Sequence, residues 1–186
     1  WKNDKMRGKG GMIYPDGSVY EGQWQDDKKF GRGIYINKNG AQYIGQWKDS
    51  MQHGFGIETH VDGSKYEGSY KNGLKHGLGI IEWADKSKYI GQLFNNSIEG
   101  RGLYHWSDGR RYEGTWKNNK MHGCGLFSWP NKSTYLGQFC ENQKNGYGEF
   151  QWMDGRCYRG EWNQGKQHGK GVYSTRDGGS IYGVWI

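Results

Sequence analysis

Four of the six histidines, all three cysteines and a series of lysines are the groups in this sequence that could do chemistry. His53, His76, His122 and His168 each stand directly before the first Gly of a Gly-x-Gly. A catalytic imidazole needs a nucleophile or carboxylate beside it at one unique place. These four recur in step instead, which predicts a structural loop residue at each. Asp and Glu also recur at fixed phases, as turn and strand-surface residues, and no Ser-His-Asp set or carboxylate pair stands apart. Gly-x-Gly has no helix pattern after it, so it reads as strand punctuation and not as a phosphate loop. The expectation is a chain that is not an enzyme and holds no cofactor of its own.

One metal arrangement has a chemical basis. His122 and Cys124 lie two apart at the start of a strand pattern, a spacing that puts both on one face. One such pair cannot fill a zinc site, whereas two copies across a two-fold axis would supply Cys2His2, a tetrahedral donor set at a dimer interface. The competing expectation is a repeat His beside a variable slot, which Phe55, Leu78, Arg101 and Tyr147 fill elsewhere. Cys124, Cys140 and Cys157 are odd in number and lack the spacing of a disulfide framework, which predicts a reducing, cytoplasmic setting.

The elements that position these groups follow from composition and period. Of the 186 residues 33% are hydrophobic, but the aromatic share alone is 16%, set among 34 glycines and only 2 prolines. A compact Leu, Ile and Val core is not available. Flat rings interleaved with Gly predict a thin sheet whose rings cover its own backbone. No apolar stretch approaches the roughly 18 residues of a membrane span. No signal peptide is read at the start, and because Trp1 is not a natural first residue, a trimmed piece is expected.

Tyr20, Tyr43, Tyr66, Tyr89, Tyr112, Tyr135 and Tyr158 are spaced by 23 residues, with Ile181 in the next phase position. Two residues after each comes Gly, and four after comes a large apolar residue, from Trp24 and Trp47 to Trp162 and Trp185. Trp1 fits the same phase one period earlier. Gly-x-Gly follows at eleven and thirteen, and most units end on Asp-Gly or Asn-Gly, with Asp85-Lys86 and Asn131-Lys132 as departures. Each unit therefore reads as two strands. Alternation puts the Tyr, Gly and Trp of the first on one face, and the second follows Gly-x-Gly. The Asx-Gly pair predicts a two-residue primed turn, since both residues tolerate positive φ. The lysines at 86 and 132 predict loops that are longer or differently shaped.

The pattern Tyr112-Glu113-Gly114-Thr115-Trp116 with His122-Gly123-x-Gly125 resembles the MORN repeat (membrane occupation and recognition nexus), over essentially the whole of residues 1–186. About eight repeats run in continuous phase, with both ends cut in mid-repeat. The resemblance implies an all-β fold: an elongated, single-layer, twisted antiparallel sheet of tandem hairpins with a groove along one face. It also implies a non-enzymatic scaffold that binds protein partners or itself and is cytoskeleton-associated. Two other expectations stand beside it: a membrane-peripheral tether for anionic phospholipid, and a regulatory region of a larger lipid kinase or methyltransferase.

Three surfaces are candidates for that work. From the residue after each Trp position to the second Gly of Gly-x-Gly, the eight windows hold 16 Lys and Arg against 6 Asp and Glu, within a net charge of +7. That basic edge contains Lys2, Lys5, Arg7, Lys28, Lys29, Lys71, Lys75, Lys117, Lys120, Lys166 and Lys170. It suits an anionic membrane or an acidic partner, or it is a solvated edge that deters sheet-to-sheet aggregation. Trp83, Trp106, Trp129 and Trp152, with Phe127 and Phe150, share a face in register. They predict stacking between repeats and an aromatic trough for a partner's peptide. The last strand, with Ile181, Tyr182 and Trp185, predicts an unpaired edge through which a homodimer forms. The rings recur as packing residues, which argues against nucleic acid as a partner.

Overall fold

The computed structural model describes residues 5–186, so Trp1 and Lys2 lie outside the described residues. The described residues form sixteen antiparallel strands and no helix, as the repeat requires. They fall into two compact units, residues 1–97 and 98–186. The first holds β1 (Gly8–Ile13), β2 (Val19–Gln25), β3 (Lys28–Ile36), β4 (Gln42–Lys48), β5 (Met51–Thr59), β6 (Lys65–Lys71), β7 (Leu74–Glu82) and β8 (Lys88–Phe94). The second holds β9 (Ser97–His105), β10 (Arg111–Lys117), β11 (Lys120–Ser128), β12 (Thr134–Cys140), β13 (Gln143–Gln151), β14 (Cys157–Asn163), β15 (Lys166–Ser174) and β16 (Ser180–Trp185). Within each unit every strand pairs with its neighbour in sequence.

A single layer has no second sheet to bury its rings, yet Tyr20, Tyr89, Tyr112, Tyr135 and Tyr158 are 0% exposed. The glycines make this possible. Gly22 pairs with Gly33 across β2 and β3, and the Tyr20 ring lies flat over both. Its hydroxyl donates to the carbonyl of Gln23 at 3.0 Å, so the polar tip is satisfied without water. The Trp four residues on closes the gap to the preceding repeat: Trp47 Nε1 donates to the Gly33 carbonyl at 3.1 Å, and Trp162 Nε1 to that of Gly148 at 3.1 Å. Tyr43 meets Trp47 edge-on at 5.0 Å and Tyr70 at 5.2 Å. Tyr135 meets Phe139 at 5.1 Å and Trp162 at 5.2 Å in the same way. Edge-to-face pairs of this kind contribute about 0.5–1.5 kcal/mol each beyond their burial. The core of each unit is this column of rings.

The turns correct the sequence reading. Asp16-Gly17 is not a two-residue hairpin. Gly17 N donates to the Tyr14 carbonyl and Tyr14 N to that of Ser18, both at 2.9 Å, which makes a longer loop with one left-handed residue, Gly17 at φ 88°. Asp16 accepts from the Ser18 amide at 3.0 Å and its hydroxyl at 2.7 Å, which holds the loop from inside. Lys86 (φ 70°) and Lys132 (φ 68°) take the glycine's place in loops of the same length and hydrogen bonding, so those loops are neither longer nor differently shaped. The two-residue primed turns sit at the other hairpin ends, as at Asn95-Asn96 and Asn118-Asn119, with both residues at positive φ. There the Asn119 side chain accepts from Ile98 N at 2.7 Å, and Asn119 N donates to the Ile98 carbonyl at 3.0 Å, tying one repeat to the next.

Candidate functional site

In the second unit the rings of the second strands form an unbroken ladder. Tyr104, Trp106, Phe127, Trp129, Phe150, Trp152 and Tyr173 follow one another with centroids 4.4, 5.3, 4.4, 5.3, 4.7 and 5.8 Å apart. All but Phe127 keep part of their surface in solvent. The stacking expected between repeats is present, with Phe127 and Phe150 wedged between Trp106, Trp129 and Trp152. Trp83 belongs to the first unit, where its equivalents in the preceding repeats are His60 and Asn37, and Glu58 and Ile81 stand where the second unit has Phe127 and Phe150. Among the first-unit rings, Tyr14 and Tyr35 meet edge-on at 6.4 Å.

Cations sit on the ladder. Arg110 lies over Trp106 at 5.3 Å and Arg156 over Trp152 at 5.4 Å. Each is held by the Asp of its own loop, Arg110 by Asp108 and Arg156 by Asp154, both at 2.7 Å. Between them Lys144 lies over Trp162 at 4.1 Å, Phe150 at 4.6 Å, Tyr135 at 5.5 Å and Trp129 at 5.9 Å. Burial among these rings pushes its ammonium down to about 8. Lys29 and Lys75 occupy the same repeat position in the first unit. Lys29 lies over Tyr14, Tyr20, Tyr35 and Trp47 at 4.3–5.1 Å, and burial lowers its pKa as well. Lys75 lies 4.9 Å over Tyr66 and pairs with Glu58 at 2.7 Å. At this position Ile98 and Met121 are buried. The slot therefore takes an apolar side chain, a glutamine (Gln52 and Gln167) or a lysine whose stem packs on rings.

Lys28, Lys71, Lys117, Lys120 and Lys166 lie in or beside the primed turns, and Lys170 lies within β15. Lys28 pairs with Asp49 at 3.0 Å, and Lys120 pairs with Glu141, both between consecutive repeats. Lys71, Lys117, Lys166 and Lys170 are exposed, and no ion pair forms on them among the described residues. Ile181 (58%) and Tyr182 (78%) are exposed on β16, whereas Trp185 packs edge-on against Tyr158 at 4.9 Å. Cys124 is exposed and His122 half-buried, with Nδ1 unpartnered. The same atom is unpartnered in His53, whose variable slot holds Phe55. No cluster of three or more metal-binding side chains occurs among the described residues.

In the first unit, the face turned away from Tyr20, Tyr35 and Tyr43 carries a feature that the sequence reading passed over. Ile34, Ile44 and Ile57 pair directly across β3, β4 and β5, and with Val19, Arg32, Gln46 and Phe55 they line an open trough of about 1260 Å³ in the first unit. The signal was present as alternation in Gly33-Ile34-Tyr35-Ile36: both faces of this strand are apolar.

The MORN repeat profile matches at residues 1–19, 20–42, 43–65, 66–88, 89–110, 112–134, 135–155 and 158–180. No curated protein matches the chain. Among solved structures, the SAS-4 (dCPAP) TCP domain of Drosophila melanogaster, in complex with a proline-rich motif of Ana2 (dSTIL), aligns with a TM-score of 0.51 at 11% identity, over 94% of this chain and 88% of that one. The TCP10 domain of Danio rerio CPAP (E1021V mutant) aligns at 0.49 and 11% identity, over 94% and 86%. These likenesses are of fold. With eight tandem matches in unbroken order, the chain belongs to the MORN repeat family.

Proposed function

We propose that this chain is a non-catalytic interaction scaffold that takes up an extended, proline-rich segment of a partner protein along the ladder from Tyr104 to Tyr173. The observation that carries the reading is the ladder itself: seven rings in series, with six of them reaching solvent. Proline-rich segments are already extended, lose little entropy on docking, and pack their rings on aromatic surfaces. The TCP domain, similar in fold, is seen with a proline-rich motif bound. A cytoskeletal setting belongs to the same proposal, in line with the family resemblance.

Calorimetric titration of the chain with acetylated, amidated nonaproline tests it. Trp129→Ala, which opens the ladder at its centre, is expected to weaken binding at least tenfold while far-ultraviolet dichroism keeps its strand signature. Equal affinity for both proteins would refute the reading.

Self-association is a second reading, favoured by the exposure of Ile181, Tyr182 and Val184 (68%) on β16. A two-fold pairing of β16 strands would cover them. Light scattering after size exclusion should then give twice 21.4 kDa, falling to the single mass in Tyr182→Lys; a single mass for the unaltered chain at every concentration excludes it.

A further inference from the structure

We propose that Lys144 anchors a carboxylate of the partner: the segment that lies on the ladder carries an acidic side chain that docks on the Lys144 ammonium. This rests on the ladder being the partner site.

The argument begins with an internal comparison. Lys75 and Lys144 occupy the same position of the 23-residue repeat, each over the phase tyrosine of its own repeat, Tyr66 and Tyr135. Around Lys75 the ring face supplies the counter-charge. Glu58 pairs with Tyr43 across β4 and β5 and reaches Lys75 Nζ at 2.7 Å. It also accepts from the Tyr70 hydroxyl at 3.3 Å. In the second unit the position that corresponds to Glu58 is Phe127, which is part of the ladder. No carboxylate lies within ion-pair distance of Lys144 among the described residues.

The other cations on the ladder are not in this state. Arg110 and Arg156 flank Lys144, and each has its own Asp. The rings alone stabilise a half-buried ammonium only partly; a carboxylate brought to it in a low-dielectric setting is worth more than one in water. An arriving acidic side chain would replace in trans what Glu58 supplies in cis. The charge pattern also sets the sign and number: one carboxylate at the ladder's centre, with the flanking Trp106 and Trp152 carrying already neutralised cations. A segment with Lys or Arg at its centre would meet the uncompensated Lys144 ammonium and be repelled.

The test uses two acetylated, amidated nonapeptides, eight prolines around a central glutamate and the same around a central glutamine, titrated calorimetrically into the chain and into Lys144→Met. Met121 fills the same slot, buried, one repeat earlier, so Lys144→Met is expected to fold. The expected result is about tenfold tighter binding of the glutamate peptide to the unaltered chain, and equal binding of the two peptides to Lys144→Met. If both peptides bind equally to the unaltered chain, the anchor is refuted and the ladder reading survives. If the glutamate preference persists in Lys144→Met, another cation is the anchor and the proposal is overturned. If neither peptide binds at millimolar concentration, both readings fall.

Discussion

A Cβ placed on Gly125 would stand 2.4 Å from Cε2 of Tyr112. The ring cannot retreat, because its hydroxyl is bonded to the Thr115 carbonyl at 2.9 Å and its edges meet Trp116 and Phe139, each at 5.1 Å. The fully buried tyrosine and the bare glycine are one structural unit, repeated along the chain.

Gly125→Ala is therefore expected to cost about 2–3 kcal/mol, the upper part of the roughly 1–3 kcal/mol that forcing an extra methyl group into a packed core costs. Gly109→Ala makes the contrast: its φ is 89° and its nearest neighbour is the Pro130 side chain at 3.3 Å, so the cost there comes from backbone strain of about 1 kcal/mol. Urea denaturation of the two variants separates these values, and a smaller loss for Gly125→Ala than for Gly109→Ala would contradict the packing account.

Lys86 and Lys132 hold a left-handed backbone where the other long loops place glycine, among them Gly17, Gly40, Gly63, Gly109, Gly155 and Gly178. Replacing either lysine by glycine should stabilise the chain by roughly 1 kcal/mol, since the strain of a side chain at this φ exceeds the entropy that glycine adds to the unfolded state. The thermal midpoint should rise by a few degrees for each, and additively for both, as the two loops lie in different units. A fall in the midpoint would mean that the lysine side chains make stabilising contacts that outweigh the strain.

Lys144 gives stability a pH dependence of definite sign. Its folded pKa of about 8 is below the ordinary lysine value of about 10.4. Between those values the unfolded chain binds more protons, so this group makes stability rise with pH from about 8 towards 10. The buried tyrosines act in the opposite sense. Burial raises Tyr20 and Tyr66 to about 12, so stability present below pH 10 is lost as pH climbs through the folded values. Cys157, raised by burial, begins to oppose the rise from about pH 9. The gain from Lys144→Met is thus expected to be largest below pH 8 and to shrink by pH 10. Denaturant midpoints of both proteins at pH 7, 8, 9 and 10 measure it, and a gain that is constant with pH would show that Lys144 does not titrate differently on folding.

Much of this was legible in the residues themselves. The Tyr-x-Gly-x-Trp spacing gave the strands, their ring face and the absence of helix, because a glycine between two rings has few other uses in a strand. The alignment of Trp106, Trp129 and Trp152 with Phe127 and Phe150 followed from the period. The turns were misplaced because Asx-Gly marks both a primed turn and a left-handed position after a type I turn, and only the hydrogen bonds tell them apart. That error hid Lys144. With the primed turns assigned to Asx-Gly, the polar stretch after each Trp looked like loop, whereas β13 already begins at Gln143 and turns the Lys144 stem onto the rings. Lys29 and Lys75 passed for edge charges for the same reason. That Phe127 stands beside Lys144 where Glu58 stands beside Lys75 matters only once the strands are paired and Glu58 is seen to reach the lysine.

The central claim is that the ring face of residues 104–173 receives the partner segment. Nuclear magnetic resonance reads it most directly, through the indole signals of Trp106, Trp129 and Trp152 and the methyl signals of Ile34, Ile44 and Ile57 during titration with the glutamate-centred proline peptide. The account predicts saturable shifts of the three indoles, with the isoleucine methyls and the indoles of the buried Trp24 and Trp47 unmoved. Shifts confined to the isoleucine trough of the first unit would place the partner there and contradict the account.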